Sequence, residues 1–462
     1  MNETRVLSEF IADISYDKLP DRVIAAVKKC LIDYVGVAAF ASQTDMGKII
    51  TSFCSRNNFG HATILPDCKA EYGPSMAAMA NGTLAHGFEL DDINTPSASH
   101  PGAVIMAASI ALGEEIDADG KQLIEAIVAG YEVMMRAGVS IAVHHLRKGF
   151  HPTASFGTFG ATAACAKLLG LNADQVESAL GLAGSFASGL AQFSVKGSMV
   201  KRIHAGKAAE QGVIIAQLAK DGFKGPAEIL EGKFGFCRVF KDADYEPDYG
   251  LITKGLGETY AVEDITVKPS AACGVLHPVV DCLEIIKKNA DFVPDLDAVD
   301  KIIVKGHTNL VEEHNTYEPD SILTAQYSLP FTVGLSFWGN VNDAKNYLDV
   351  SILKNPTILA WGRKVTTQFD QEVQSTCPAL FGAKVEVVMT DGRSYKAHVR
   401  CAKGGTENPY TFDEVAEKYK VLVADVFTPE MAENIAMKVR SVEKLKSVRN
   451  LFEITKGLVK ER

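Results

Sequence analysis

Within residues 1–263, two histidines each stand directly before a proline that would open a helix. They are His100, which follows the acidic pair Asp91 and Asp92, and His151. Near a helix start, free N–H groups and the helix dipole favour anions and lower the pKa of a histidine. A neutral imidazole can remove a proton near pH 7, so His100 is predicted as a general base or acid. In the alternative, both histidines only make local hydrogen bonds beside capping carboxylates.

Cationic side chains cluster further along the chain. Lys201 and His204 would share one face of a helix because they lie three positions apart, whereas Arg202 would point elsewhere. Apolar neighbours make an ordinary solvated charged face less expected here. The cluster therefore predicts either a clamp for a polyanion or a set of surface charges, since clustered cations serve both roles.

Helical periodicity and many small residues characterise residues 1–263, which is typical of closely packed helices. A short helix is predicted at 225–231 within this part. From 264 to 404 the pattern changes: alternating apolar residues at 383–389, followed by a turn sequence, predict a β-hairpin. Helical periodicity returns in 405–462. The predicted fold class is mainly α, with a helical domain and a smaller α+β domain.

Lys268, Cys273 and His277 lie where the chain crosses from the helical part into the α+β part. Ligand sites favour domain interfaces, so the lysine and the histidine are well placed to line a cleft. Cys273 is expected to be a small buried side chain rather than a nucleophile, because no other feature marks His277 as its base.

Composition excludes several classes of protein. A net charge of −10 over 462 residues argues against binding to nucleic acid or to an anionic membrane. The longest apolar run is too short to span a bilayer. Nine scattered cysteines form no disulfide or zinc pattern, and the first residues resemble no targeting peptide, so a cytoplasmic location is expected. Nucleotide-binding signatures are missing from the sequence. We expect no cofactor and no metal; the metal alternative would use Asp91 and Asp92.

The chemistry that these groups support is ionic. Lysines and protonated imidazoles bind carboxylates, and a neutral imidazole or a lysine of lowered pKa removes a proton next to one of them. Fixed cations stabilise the enolate-like charge that results. This combination predicts a cofactor-free lyase or isomerase that acts on a small, anionic polycarboxylate.

Motifs that span most of the chain resemble those of the MmgE/PrpD family. In order, they are NGTLAHGFELDDINTPSASHPGA, GFHPTASFGTFGATAACAKLLGL, KGSMVKRIHAGKAAEQGVIIAQLAKDGFKGP, VKPSAACGVLHPVVD and AQYSLPFTVG. The family includes 2-methylcitrate dehydratase, cis-aconitate decarboxylase and iminodisuccinate epimerase. The resemblance implies a large all-helical domain built from both chain ends, a smaller α+β lid domain, a homodimer and a positively charged site between the domains.

Three positions depart from the decarboxylase branch of that family. Cys273 stands where the branch has a histidine, and Glu89 and Ile93 stand where it has aspartate and threonine. These differences weaken a decarboxylase assignment. The glycine after His100 and its proline also differs from the serine typical of the better characterised dehydratases, so 2-methylcitrate itself is not fixed as the substrate.

The resulting prediction is a hydro-lyase similar to 2-methylcitrate dehydratase. An isomerase similar to iminodisuccinate epimerase, a cis-aconitate decarboxylase and a non-catalytic carboxylate-binding protein remain as alternatives. The residues predicted as catalytic are His100, Asp91, Asp92, His151 and Lys201, and those predicted to bind substrate are His204, Lys268, His277 and Cys273.

Overall fold

The structure is a computed structural model that describes residues 2–56, 59–67, 70–196, 198–377 and 379–455. Cys68, Gly197 and residues 456–462 of the predicted C-terminal helical part lie outside the described residues. The protein is mostly helical with small sheets, which confirms the mainly α class.

The helices follow one another along most of the chain. They are α1 (Glu3–Asp13), α2 (Asp21–Ala41), α3 (Asp45–Cys54), α4 (Pro74–Ala85), α5 (Pro101–Glu115), α6 (Gly120–Val139), α7 (Ala142–Arg147), α8 (Pro152–Leu168), α9 (Ala173–Phe186), α10 (Phe193–Lys196), α11 (Val200–Lys220), α12 (Phe236–Val239), α13 (Gly250–Thr253), α14 (His277–Lys287), α15 (Thr308–Glu313), α16 (Ile322–Gln326), α17 (Leu329–Trp338), α18 (Pro356–Gly362), α19 (Gln371–Gln374), α20 (Phe412–Val423) and α21 (Pro429–Arg440).

Within the described residues, the strands form two sheets. They are β1 (Ala62–Thr63), β2 (Ala70–Tyr72), β3 (Val299–Gly306), β4 (Val365–Phe369), β5 (Ala383–Met389) and β6 (Ser394–Val399). The larger sheet has the order β4-β3-β5-β6, in which β3 and β4 are parallel and the other pairs antiparallel. Strands β5 and β6 form the predicted hairpin. In β5 the buried residues alternate with less buried ones, which is the period expected of a sheet with one face on a core.

The chain divides into two compact units. One comprises Met1–Ile265 with Thr411–Arg462, and the other comprises Thr266–Tyr410. The division of the chain into a helical domain and a lid domain stays a prediction. In the second unit, α14 and α17 contribute apolar side chains to the same core as the larger sheet.

Small residues let the helices of the first unit approach closely. A Cβ added at Gly82 of α4 would lie 2.9 Å from the Cα of Gly206 in α11, so the two backbones meet without a side chain between them. Helix α5 is buried on every side, from Pro101 to Glu114. This packing fixes the helix ends at which the predicted site residues lie.

The two predicted His-Pro helix starts are confirmed. Pro101 and Pro152 each occupy the first turn, of α5 and α8 respectively, where proline has no hydrogen bond to lose. His100 and His151 are the residues before those helices, and neither side chain caps its own helix. Both imidazoles are therefore available for contacts elsewhere.

The helix predicted at 225–231 is wrong. This segment forms turns and irregular structure. The main chain of Gly225 and Pro226 lies so close to Gly181 of α9 that a Cβ there would overlap it. Proline restricts the residue before it to extended conformations, which helps to explain why this crossing is not helical.

In the described part of the chain, no helix combines the length and apolar character that a membrane crossing requires.

Candidate active site

Two histidines share one carboxylate at the centre of the candidate site. His86, which follows α4, donates from Nδ1 to Oδ2 of Asp91 over 2.6 Å. The same oxygen lies 3.2 Å from Nδ1 of His100. All three residues are buried, and the ring centroids of the two histidines are 4.9 Å apart. The arrangement places an anion where it can stabilise positive charge on either imidazole.

Burial and neighbouring charges determine which groups of this cluster are protonated. Burial lowers the pKa of His86 to about 3, against the opposing effect of Asp91. Burial alone would raise the pKa of Asp91, but His100 and His86 together hold it well below its usual range. At neutral pH the cluster therefore contains a neutral His86 and an ionised Asp91.

Asp92, the neighbouring carboxylate, is held by the fold. Its Oδ1 accepts from the N–H of Gly102 over 2.8 Å, and its Oδ2 accepts from the hydroxyl of Tyr131 over 2.7 Å. Burial raises the pKa of Asp92 to about 7, although both hydrogen bonds favour the charged form. The carboxylate of Asp92 is thus hydrogen-bonded to the first turn of α5, and this contact fixes the orientation of the Asp92 main chain.

The main-chain carbonyl of Asp92 determines which ring nitrogen of His100 can accept a proton. The carbonyl of Asp92 lies 2.8 Å from His100 Nδ1. A carbonyl can only accept, so this geometry assigns a proton to Nδ1, and in the neutral imidazole the lone pair is therefore on Nε2. Since the side chain of His100 is 10% exposed, a substrate can reach it more readily than it can reach His86.

A second pair of histidines lies beside the first. Nδ1 of His151 is 3.0 Å from Nδ1 of His204 on α11, and both rings pack against Phe193. The rings of His151 and His86 stack with centroids 5.7 Å apart. Burial lowers the pKa of His151 well below its usual range, with help from His86, and burial also lowers the pKa of His204. Both imidazoles are neutral at pH 7.

Two cations from the start of α11 meet a buried carboxylate at this site. Lys201 bonds Glu89, and Arg202 donates to the same carboxylate oxygen over 2.6 Å. The expectation that Arg202 points away from Lys201 is wrong, because both side chains reach one oxygen. Arg202 also donates to the main-chain carbonyl of His86 over 3.0 Å. The charge of Lys201 is close enough to lower the pKa of both His86 and His151.

Three predicted substrate-binding residues belong to the second unit. Lys268 and His277 are almost wholly buried, and Cys273 is half-buried. Nε2 of His277 lies 3.2 Å from the carbonyl of Ala272, so the histidine bonds locally at the start of α14. The N–H of Cys273 donates to the carbonyl of Gln326 over 2.8 Å.

The other predicted residues converge within the first unit. They are His100, Asp91, Asp92, His151, Lys201 and His204. His86, Glu89 and Tyr131 also contact this group and are not among the predicted site residues. For His86 and Glu89, the available signal is their place in the segment that ends at the acidic pair; nothing in the local sequence marks Tyr131, 39 positions from Asp92.

One set of side chains here could also hold a metal ion. Ligand atoms of His86, Asp91 and His100 all lie within 4.8 Å of one another. Within the described residues, Nε2 of His86 and Oδ1 of Asp91 are buried without a hydrogen-bond partner. The predicted metal alternative with Asp91 and Asp92 fits less well, because both oxygens of Asp92 accept hydrogen bonds from the protein.

Fold and site together define a mainly helical protein with a buried histidine–carboxylate cluster suited to proton transfer. The chain belongs to the MmgE/PrpD family. The family model for the MmgE/PrpD N-terminal domain matches residues 5–248, and the model for the MmgE/PrpD C-terminal domain matches residues 270–444. The second match lies mostly in the second unit and extends into the C-terminal segment of the first.

Curated relatives match over almost their whole length. The cis-aconitate decarboxylase-like protein oryM of Aspergillus oryzae is 27% identical, with 99% of this chain and 98% of the relative covered. The cis-aconitate decarboxylase of Aspergillus terreus is 26% identical over 99% of this chain and 96% of its own length. Human cis-aconitate decarboxylase is 24% identical over 98% and 94%, respectively.

Proposed function

We propose that the protein is a cofactor-independent lyase that acts on a small di- or tricarboxylate by proton transfer next to a carboxylate. The observation that carries the proposal is the arrangement of His100. Its Nδ1 donates to the carbonyl of Asp92 and lies near the ionised carboxylate of Asp91, so in the neutral ring the lone pair is on Nε2. Such an imidazole is a general base whose protonated form is stabilised as it forms.

The remaining groups supply a hydrogen-bond donor and binding charges. His151 is neutral, because burial lowers its pKa, and it lies beside the cluster next to His204. A neutral imidazole can donate a hydrogen bond from its N–H to a developing oxyanion and keeps its proton. Lys201 is the proposed partner for a substrate carboxylate, which would compete with Glu89 for its ammonium group. Lys268 and His277 stay predicted substrate-binding residues.

The leading reaction is dehydration of a hydroxy acid similar to 2-methylcitrate. His100 takes the proton from the carbon next to a carboxylate, the carbon–oxygen bond of the hydroxyl group breaks, and the leaving hydroxide takes the proton back from the His100 imidazolium and departs as water. The same proton abstraction followed by return of a proton on the opposite face would make the protein an isomerase instead.

Decarboxylation is the second candidate, and the names of the relatives favour it. In that reaction a carbon–carbon bond breaks, carbon dioxide leaves, and the electron pair left on carbon is protonated by the imidazolium form of His100, which takes up one proton from water in each turnover. Cys273, Glu89 and Ile93 differ from the predicted decarboxylase pattern and weaken this candidate. Because both reactions use the same proton carrier, product identity distinguishes them.

Proton NMR in D₂O is the experiment that tests the proposal. The purified protein is mixed separately with 2-methylcitrate, citrate, cis-aconitate and iminodisuccinate. We expect water to be lost from one hydroxy acid. Release of carbon dioxide from cis-aconitate would support the second candidate, and deuterium exchange without another change would support the isomerase. Titration calorimetry that detects binding without any conversion would favour a non-catalytic carboxylate-binding protein.

We also propose that the protein is a homodimer, as the family resemblance implies, and that it is cytoplasmic, as expected from cysteines that form no disulfide pattern. Light scattering after size-exclusion chromatography should give twice the chain mass of 49.7 kDa. A monomer at micromolar concentration would contradict the dimer. Recovery of the protein in an organelle or secreted fraction of its cell would contradict the location.

A further inference from the structure

A lysine from the C-terminal segment contacts the main chain next to the candidate site. Lys418 lies on α20, and its Nζ donates to the main-chain carbonyl of Leu90 over 3.0 Å. The same ammonium bonds Oδ1 of Asp33, on α2, over 2.6 Å. The side chains of Lys418 and Asp33 are only 13% and 2% exposed. A residue distant in sequence thus holds the peptide that immediately precedes Asp91.

The segment held in this way has little regular structure of its own. Residues 86–92 connect the end of α4 to the acidic pair as turns and irregular chain. Within it Glu89 has a φ of 57°, a left-handed conformation that is unfavourable for a residue with a side chain. Contacts from outside the segment must therefore keep it in place.

Cations hold this segment at two points in the same manner. Arg202 donates to the carbonyl of His86 and to the carboxylate of Glu89. Lys418 donates to the carbonyl of Leu90 and to the carboxylate of Asp33. In each case one cation joins a main-chain carbonyl to a buried anion. The two contacts lie on either side of Glu89, and the second is adjacent to Asp91.

A contribution to stability does not by itself explain the buried ion pair of Lys418 and Asp33. Removing two charges from water costs free energy that their attraction often fails to recover, and apolar replacements of similar volume are frequently as stable. The position of Asp91 is a stronger reason, because its Oδ2 must reach His86 and His100 at the same time, over 2.6 and 3.2 Å. A shift of Leu90 would be transmitted to both contacts through a single peptide unit.

We propose that Lys418, together with Asp33, is a positioning residue that holds the Leu90–Asp91 peptide so that the carboxylate of Asp91 lies between His86 and His100. Its catalytic consequence rests on the proposed function. Its structural consequence does not, because the state of the histidine rings can be measured without any substrate.

The test compares Lys418→Met with a matched control, Lys28→Met. Lys28 also joins α2 to the C-terminal segment, through a 2.8 Å ion pair with Glu443, and the two side chains are 16% and 20% exposed. Methionine keeps much of the length of lysine and removes the charge. A third variant, Lys418→Arg, restores a cation that can bond both oxygens and should recover part of any loss.

Two readouts separate positioning from general stability. With ¹⁵N-labelled histidine, we expect the ring signals of His86 and His100 to shift in Lys418→Met and to stay unchanged in Lys28→Met. With a converted substrate, we expect kcat to fall ~10- to 100-fold in Lys418→Met at a nearly constant KM, since a displacement near 1 Å can cost about 10²-fold.

Several results would overturn the proposal. One is a folded Lys418→Met protein with unchanged histidine signals and kcat; another is an equal effect of Lys28→Met. If Lys418→Met does not fold, the double variant Asp33→Asn/Lys418→Met removes both charges and takes its place. Failure of both to fold would make Lys418 a structural residue only. Inactivity of the wild-type protein on every acid would refute the proposed function, and the histidine signals would still decide on positioning.

Discussion

Replacing Asp91 by asparagine tests the role of the shared carboxylate. In the native site, Oδ2 of Asp91 lies 2.6 Å from Nδ1 of His86 and 3.2 Å from Nδ1 of His100. Asparagine has nearly the same shape and removes the negative charge. If His100 becomes protonated during the reaction, the variant loses the anion that stabilises the imidazolium.

The size of the effect follows from the separation. Two unit charges 3.2 Å apart attract each other by about 5 kcal/mol at an effective dielectric constant of about 20. In the variant, the dipole of the new amide and water that enters the site replace part of this attraction. We therefore expect the variant to lose about half of the attraction energy. A barrier higher by ~2.7 kcal/mol corresponds to a kcat that is lower by ~10²-fold. We therefore expect Asp91→Asn to lose at least that factor.

The assay is kcat and KM on the acid that the wild-type protein converts, with circular dichroism and thermal unfolding to establish that the variant is folded. Glu114→Gln is the matched control. Glu114 is equally buried and bonds Thr63, and burial raises its pKa to about 8, so glutamine resembles its protonated form. A folded Asp91→Asn protein with kcat within ~3-fold of wild type would refute the reasoning, as would an equal loss in the control.

Three further predictions concern stability and metal dependence. Burial lowers the pKa of His151 well below its usual value, so the stability that its neutral form contributes is present above pH ~6.5 and is lost as pH falls. In urea unfolding, the free energy of unfolding should therefore fall between pH 7 and pH 5 by ~2 kcal/mol less in His151→Gln than in the wild type. Equal losses would contradict a neutral His151. Gly206→Ala should cost ~1–3 kcal/mol, because its Cβ would overlap the carbonyl of Met79, whereas Gly113→Ala, with its nearest atom at 3.5 Å, should cost nothing; equal unfolding midpoints would contradict the packing argument. Incubation with EDTA should leave activity unchanged, and a loss that a divalent cation reverses would favour a metal at His86, Asp91 and His100.

Local chemistry explains why part of the fold could be predicted. Proline before a helix and a β-hairpin with a turn sequence depend on neighbouring residues only, and both are found where expected, at Pro101, Pro152 and the strands β5 and β6. The segment 225–231 depends instead on a distant partner. Its course is set by close packing on α9, which no local pattern records.

The residues of the candidate site show the same difference between features that the local sequence marks and features that depend on a distant partner. His100, Asp91 and His151 stand out because titratable groups beside helix starts have an evident chemical use. His86 ends a helix and looks ordinary in sequence, and it becomes part of the site only because the chain folds back to bring Asp91 to its Nδ1. The contact of Lys418 could not be predicted from the local sequence, because 328 positions separate it from Leu90, whose carbonyl it binds.

The most direct test of the central claim is proton transfer by His100. The reaction is run in D₂O with wild-type protein and with a folded His100→Gln variant, and deuterium is measured at the carbon next to the substrate carboxylate. We predict exchange or product formation in the wild type and a rate at least ~10²-fold lower in the variant. A His100→Gln protein that transfers deuterium at the wild-type rate would contradict the assignment of His100 as the proton carrier.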